Sequence, residues 1–476
     1  RSILYNQMRY IIHKENRPVY LQLYQQIRDD IIGGNYPYHT KLPSKRSLAA
    51  ETGVSLITVE HTYELLCDEG YAEARPRSGY VVSFRKADGF ATPEPLQTEL
   101  PKSHRDADYP DFPLSVLSKT MRKVLSDNGD LVLEKSPNSG CLALREAIRH
   151  YLARNRGMQV SVEQIVIGSG SEYLYGLIAE LLGRRRVYAV ETPAYKKIRQ
   201  VYDAAEITCD ALPLTGSGID SAALAATKAE VLHTTPYRSY PSGVTATASK
   251  RYEYVRWAGE GDRYIIEDDF NGELRYSSHP IPCVQYYDSE HTVYIGSFSK
   301  VLLPSVRISY MVLPERMVKL YERIRNNYDQ TCSKTEQLTL AEFMKRGFFH
   351  TNLRRVRKLY SVKLQEALEA IREYGSEGNF LTAENTQSGI NIIFRLNTHT
   401  KVITKGQNGD ARSLEIRREM ADRLVQTAAK AGIKVRDIDQ LDHDGQMYMV
   451  FYYNQIPLGQ IRAAVKAMIE GFKSDV

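Results

Sequence analysis

The chain has 476 residues, which is room for two domains or more, and its 42% hydrophobic and 25% charged residues suit a folded protein with a sizeable core. No run of eighteen apolar residues occurs, which argues against a membrane-spanning helix, and a formal charge of +6 permits nucleic-acid binding without proving it. The five cysteines are scattered with no Cys-x-x-Cys pair, which argues against a disulfide framework or a zinc or other metal site and for the reducing cytoplasm. The start "RSILYNQMRY" carries no signal-peptide pattern, and Met8 is read as the natural start, with residues 1–7 an addition.

Residues 8–84 are compact and helical in pattern. In "RPVYLQLYQQIRDDIIGGNY" Val19, Leu23, Ile27 and Ile31 recur at helical spacing and two glycines stop the run. "LPSKRSLAAETGVSLITVEHTYELLCDEGYAEARPRSGYVVSF" then predicts a helix from Pro43 and Ser44, a turn at Gly53, a second helix near Ser55, a turn at Gly70 and a short hairpin. The tight "TGVS" turn fits a helix-turn-helix, with Ser55, Leu56, Thr58 and His61 facing the major groove. "RPRSGY" would be a wing that brings Arg75 and Arg77 near phosphates. A small helical domain with solvated charges would share much of this pattern. Residues 85–108, rich in proline and charge, read as an exposed linker.

Residues 109–476 alternate strand-like runs with amphipathic stretches. The strand candidates are "QIVIGSG", "RVYAVE", "EVLHTTP", "RYIIEDD", "TVYIGS" and "RISYMVL", each followed by a turn or a helix pattern. That order predicts a mostly parallel sheet covered by helices on both faces, with ligands at the C-terminal ends of its strands. From about residue 355 a basic amphipathic helix, then "INIIFRL" and "MYMVFYY", predict a smaller α+β subdomain.

The polar residues of interest fall at those strand ends. "GSGSEYLYGLIAELL" sets Gly168, Gly170, Ser171 and Glu172 at a helix N-terminus, where amides and dipole favour an anion. Tyr195 follows a strand and could stack flat on an aromatic ring. Asp268, at the end of "RYIIEDDF", could face a protonated ring nitrogen; a helix cap is the plain alternative. "GSFSKVLLPSVRISY" combines the amine of Lys300 with Ser297, Ser299 and Arg307, a cup for a phosphate beside a nucleophile.

Two family resemblances follow. "LPSKRSLA", "GVS" followed by "TV", "EGY" and "GYVV" resemble, end to end, the winged helix-turn-helix of GntR-type bacterial regulators. The resemblance implies that Ser44 and Arg46 touch DNA and that Ser55 and Thr58 lie on the recognition helix. Leu56 stands where that family often has arginine, so one contact is expected to be lost or moved. Over roughly 109–476 the chain resembles fold-type I pyridoxal-phosphate (PLP) enzymes of the aspartate-aminotransferase class. This implies a Schiff-base lysine at Lys300, a ring partner at Asp268, a stacking ring at Tyr195, and a phosphate cup of Ser171, Ser297, Ser299 and Arg307, with Glu172 also expected at the cofactor. Tyr240, in "YPSG", stands where the class has asparagine, and Phe270 where it has tyrosine. The class also holds a substrate carboxylate with an arginine on a late strand. "MYMVFYYNQIPLGQI" has none, leaving Lys197 or Arg395 as candidates.

The whole chain is similar to the MocR-type subfamily of GntR regulators. That implies a small α+β winged helix-turn-helix, then an α/β/α fold-type I aminotransferase-like domain with a smaller α+β C-terminal subdomain. It also implies a homodimer, operator DNA with two half-sites, and PLP or a small amine as effector. The rivals are a working PLP-dependent aminotransferase and a regulator with a vestigial pocket.

Overall fold

The computed structural model describes residues 10–12, 18–76, 78–85, 112–274, 281–376, 380–386, 389–397, 411–438 and 446–475. Met8, Arg77 and all of the expected linker except Arg85 lie outside them. The chain divides into two compact units, residues 1–103 and 104–476.

In the first unit, helix Val19–Gly33 buries Leu23, Tyr24, Ile27 and Ile31, the face set by the helical period. It ends at Gly34, which takes the left-handed φ of 84° that closes a helix. Helices Lys45–Thr52 and Leu56–Asp68 follow, separated by Gly53 at φ 69°. Strands β1 (Ala72–Arg75) and β2 (Gly79–Val82) pair antiparallel as the wing. Leu23, Ile27, Leu48, Val59, Tyr63 and Leu66 form the shared core.

The second unit is built on an eight-stranded sheet. Its strands are β3 (Ile165–Gly168), β4 (Tyr188–Thr192), β5 (Cys209–Thr215), β6 (Gly218–Ile219), β7 (Val231–Thr234), β8 (Tyr264–Asp268), β9 (Thr292–Ser297) and β10 (Ser309–Val312). They lie in the order β3-β10-β9-β8-β7-β4-β5-β6. β5, β4, β7, β8 and β9 are parallel; β10 is antiparallel to both β9 and β3. Every residue of β3 and β7 is buried, as expected for strands covered on both faces. Ile265 and Ile266, neighbours on β8, enter different apolar clusters, as the period of two requires. The six predicted strands are all present. β5 was not predicted, because "CDALPLT" breaks the apolar run with Asp210 and Pro213; proline is tolerated there close to the sheet edge.

The antiparallel β10 matters for chemistry. It begins where its neighbours end, so Ser309 lies in register with both Gly168 and Ser297.

The smaller subdomain is a four-stranded antiparallel sheet of β11 (Leu381–Glu384), β12 (Ile392–Asn397), β13 (Val435–Asp437) and β14 (Gln446–Phe451), in the order β11-β12-β14-β13. Its long helix runs Phe348–Gly375 and so starts earlier than residue 355: Gly347, at φ 78°, separates it from helix Lys334–Lys345, and Phe349, Asn352 and Leu353 extend the buried face. Among the described residues, no helix is long and apolar enough to cross a membrane.

Candidate ligand cavity and nucleic-acid interface

Ends of β8 and β9, the N-terminus of helix Ser171–Leu182, the "YPSG" loop and the small sheet enclose a cavity of about 420 Å³. Ser171, Glu172, Tyr195, Tyr240, Asp268, Ser297, Ser299, Lys300 and Arg307 all line it. A second cavity, about 570 Å³, opens beside helices Leu114–Asn128 and Leu142–Arg156 and is lined by none of these residues.

Asp268 and Asp269 have different surroundings. Asp269 accepts from Tyr294 Oη at 2.8 Å and pairs with Arg156 at 3.0 Å, and Arg156 in turn reaches Glu273 at 3.1 Å. Asp268 lines the cavity. Its Oδ2 accepts from the Tyr175 hydroxyl and lies 3.8 Å from His233 Nε2, while its buried Oδ1 has no hydrogen-bond partner among the described residues. His233 is held from behind by Tyr202 Oη, 2.7 Å from its Nδ1.

At the cup, Ser309 Oγ donates to Ser297 Oγ at 3.0 Å. Arg307 adopts a left-handed φ of 49°, and its guanidinium lies so close to Gly170 that a Cβ there would sit 2.6 Å from Nη2. Gly170 itself has φ 97°, a left-handed conformation that favours glycine. Arg307 donates to Glu172 at 2.5 Å, and Lys197 pairs with the same carboxylate at 3.2 Å. Burial would raise the Glu172 carboxyl, but the two cations outweigh it and hold it below the usual range. Glu172 is thus a partner of the cup's arginine.

Neither carboxylate candidate lines the cavity. Lys197 is drawn to Glu172, and Arg395, on β12, directs Nε to Glu384 at 3.6 Å. The positions facing the missing arginine are Asn454 and Gln455, both in the wall, with the Asn454 carbonyl accepting from buried Lys363 Nζ at 2.6 Å. Sequence reasoning missed Ser309, Thr235, Tyr452 and Lys434 in the wall and Arg436 behind it. Only Ser309 carried a signal, through its spacing from Ser297 across a strand turn.

Behind the "YPSG" loop lies Glu191, which accepts from Thr234 Oγ1 at 2.9 Å, Thr235 N at 3.1 Å and the Ser239 hydroxyl. Burial pushes it up to about 7 against these donors.

In the first unit, Ser44 caps helix Lys45–Thr52 by accepting from Ser47 N, and Ser55 caps helix Leu56–Asp68 by accepting from Thr58 N, each at 3.1 Å. Ser55 and Thr58 also share a 2.8 Å hydroxyl bond. Both serines expected at DNA therefore serve the backbone. Arg46 and His61 are exposed, with His61 stacked on Tyr20 at 4.7 Å. Arg75 is drawn to Glu73. Leu56 is exposed, and Ile57 is 76% exposed, an apolar tip that the sequence reading overlooked. Among the described residues no group of His, Cys, Asp and Glu could hold a metal ion.

Residues 19–82 match bacterial regulatory proteins of the gntR family, and residues 107–392 match aminotransferase class I and II. The uncharacterized HTH-type transcriptional regulator YdeL of Bacillus subtilis is 34% identical over 79% of this chain and 83% of its own length. The probable rhizopine catabolism regulatory protein MocR of Rhizobium meliloti is 27% identical over 79% of this chain and 82% of its own. Among solved structures, the Pyrococcus horikoshii kynurenine aminotransferase superposes with a TM-score of 0.62 over 77% of this chain and 88% of its own, at 24% identity, a likeness of fold. The chain belongs to the MocR-type regulators of the GntR family, a GntR helix-turn-helix domain joined to an aminotransferase class I and II domain.

Proposed function

We propose that this chain is a cytoplasmic transcriptional regulator that binds operator DNA through its first unit and holds pyridoxal 5′-phosphate, as sensor rather than catalyst, in the cavity of its second. The observation that carries the reading is Asp268 Oδ1. A buried carboxylate oxygen without a partner among the described residues is costly, and a protonated ring nitrogen would satisfy it.

When bound, PLP supplies an aldehyde that a primary amine captures, next to an electron-drawing ring. Lys300 is the cavity amine to hold it covalently. The Tyr175 hydroxyl would keep Asp268 turned toward the ring nitrogen. Ser297, Ser309, Arg307 and the amides at the start of helix Ser171–Leu182 would bind the phosphate, with Arg307 released in part from Glu172. Tyr195 offers a face for stacking. The amides of Asn454 and Gln455 stand where a guanidinium fork would fix a substrate carboxylate for turnover, which favours sensing.

In the first unit, Arg46 and the wing supply positive charge for phosphates. Leu56 and Ile57 offer methyl groups to thymine in the major groove. Leu125, Leu131, Leu133 and Leu142 are exposed on the second unit, Leu133 at 84%, an apolar surface suited to a second copy of the chain. Two-fold pairing would present two readers to an operator of two half-sites.

The test is binding of the full chain to DNA from upstream of its own gene, with PLP bound and after its removal. Arg46→Ala should weaken binding about tenfold and lower the salt slope by about 1, as for one lost phosphate contact. Binding that Arg46→Ala and PLP removal both leave unchanged contradicts the reading.

A further inference from the structure

Three basic side chains line the cavity among the described residues: Lys300, Arg307 and Lys434. On the reading above, the first two belong to the cofactor. Lys434 is left over, and it immediately precedes the edge strand β13 of the small sheet. Its ammonium lies 5.5 Å from the centre of the Tyr452 ring. Two residues on, with the same strand parity, Arg436 donates to Tyr240 Oη at 3.1 Å, and Tyr240 Oη lies 2.5 Å from Tyr452 Oη.

The hydrogen count of this group is informative. Two phenols bring two O–H hydrogens, and one of them closes the bond between the two oxygens. The other remains to be donated, and both rings line the cavity. Burial, then the bond to Tyr240, pushes the Tyr452 phenol far above its ordinary value, so Tyr452 keeps its hydrogen at neutral pH. The nearest acid on the strand, Asp437, is engaged by the Arg417 guanidinium through both of its oxygens and does not neutralise Arg436. One end of the cavity therefore offers an ammonium and a phenolic donor, backed by a guanidinium, with no carboxylate of its own among the described lining residues except Glu172 and Asp268 at the cofactor end.

We propose that Lys434 and the Tyr240–Tyr452 pair bind a carboxylate of the effector, with Arg436 as the positioning residue behind Tyr240, so that the effector is an amino acid rather than a simple amine or PLP alone. This rests on the cavity holding PLP as described. The amine of such a ligand faces the cofactor and its carboxylate faces β13. Recognition thus sits on a different strand from the late-strand arginine of aminotransferases, whose place here is taken by Asn454 and Gln455.

The experiment uses the full-length holoprotein and a panel of α- and ω-amino acids, from glycine and β-alanine to L-norvaline and 5-aminopentanoate. Each is compared with the amine left when its carboxylate is removed; for the last two this is the same n-butylamine. Binding is read from the change in cofactor absorbance and from the melting temperature. At least one acid should bind more tightly than its amine. Lys434→Gln and Arg436→Gln should each reduce that preference about tenfold to a hundredfold, the effect of losing a hydrogen bond to a charged group. Equal binding of acids and amines, no response to any acid, or an undiminished preference in both variants overturns the proposal while the cofactor band persists. Absence of the cofactor band in the wild-type protein instead overturns the reading on which it rests.

Discussion

The reader and the cavity use their polar side chains in opposite ways. In the reader, Ser44 and Ser55 are consumed by helix N-termini, and Tyr63 Oη closes on the Pro43 carbonyl at 2.7 Å. At the cavity floor, Asp268 keeps a buried oxygen without a partner among the described residues. A polar group already satisfied by its own fold contributes stability. One left unsatisfied costs stability, and where it lines a cavity an arriving ligand can satisfy it. Of the two neighbours at one strand end, Asp268 lines the cavity, while Asp269 is turned to Arg156 and Tyr294.

Substitutions test this separation. The largest effect is expected at Asp269, which pairs with Arg156 and accepts from Tyr294. Asp269→Ala leaves Arg156 buried with only part of its charge balanced, and unfolding in denaturant should show a loss of about 3 kcal/mol, the low end for a broken buried pair because Glu273 remains. At Asp268 the pattern should invert. Asp268→Ala should weaken PLP binding about tenfold to a hundredfold in equilibrium titration, while apo stability falls far less than in Asp269→Ala. If Asp269→Ala spares stability and costs PLP affinity instead, the two roles are assigned the wrong way round.

Smaller effects follow in the same logic. Ser55→Ala removes a cap and should cost about 1 kcal/mol of reader stability, visible in thermal unfolding, before any effect on DNA is counted. A loss confined to DNA affinity would return Ser55 to the interface. Glu191 gives a pH signature. Its carboxyl rises from the ordinary 4.5 to about 7 on burial, so the folded chain holds a proton that the unfolded chain has released. The stability this lends is complete below about 4.5 and is lost as pH rises through about 7. Glu191→Gln should flatten the fall in melting temperature across that window; an identical profile would show that Glu191 titrates normally.

Much of this was readable from sequence, and the exceptions share a cause. The strands ending in Gly168, Asp268 and Ser297 each carry their functional residue at their own end, so a short motif reports it. Lys300 and Arg307 follow Ser297 in the one loop that joins β9 to β10. β5 hid behind Pro213, and the three-residue β13 is too short to show a period, so Lys434 and Arg436 had no local signature. Arg436 and Tyr452 meet Tyr240 across about two hundred residues of chain, and long-range pairing leaves no trace in local spacing. Arg395 and Lys197 were plausible by residue type alone. What sets them aside is that neither is among the described residues that line the cavity.

The central claim is that one lysine of this DNA-binding chain holds PLP. Borohydride reduction of the holoprotein followed by peptide mass spectrometry tests it directly. The account predicts a phosphopyridoxyl label on Lys300 and no label at any site in Lys300→Ala. A label on another cavity lysine such as Lys434, or one that survives in Lys300→Ala, would contradict it.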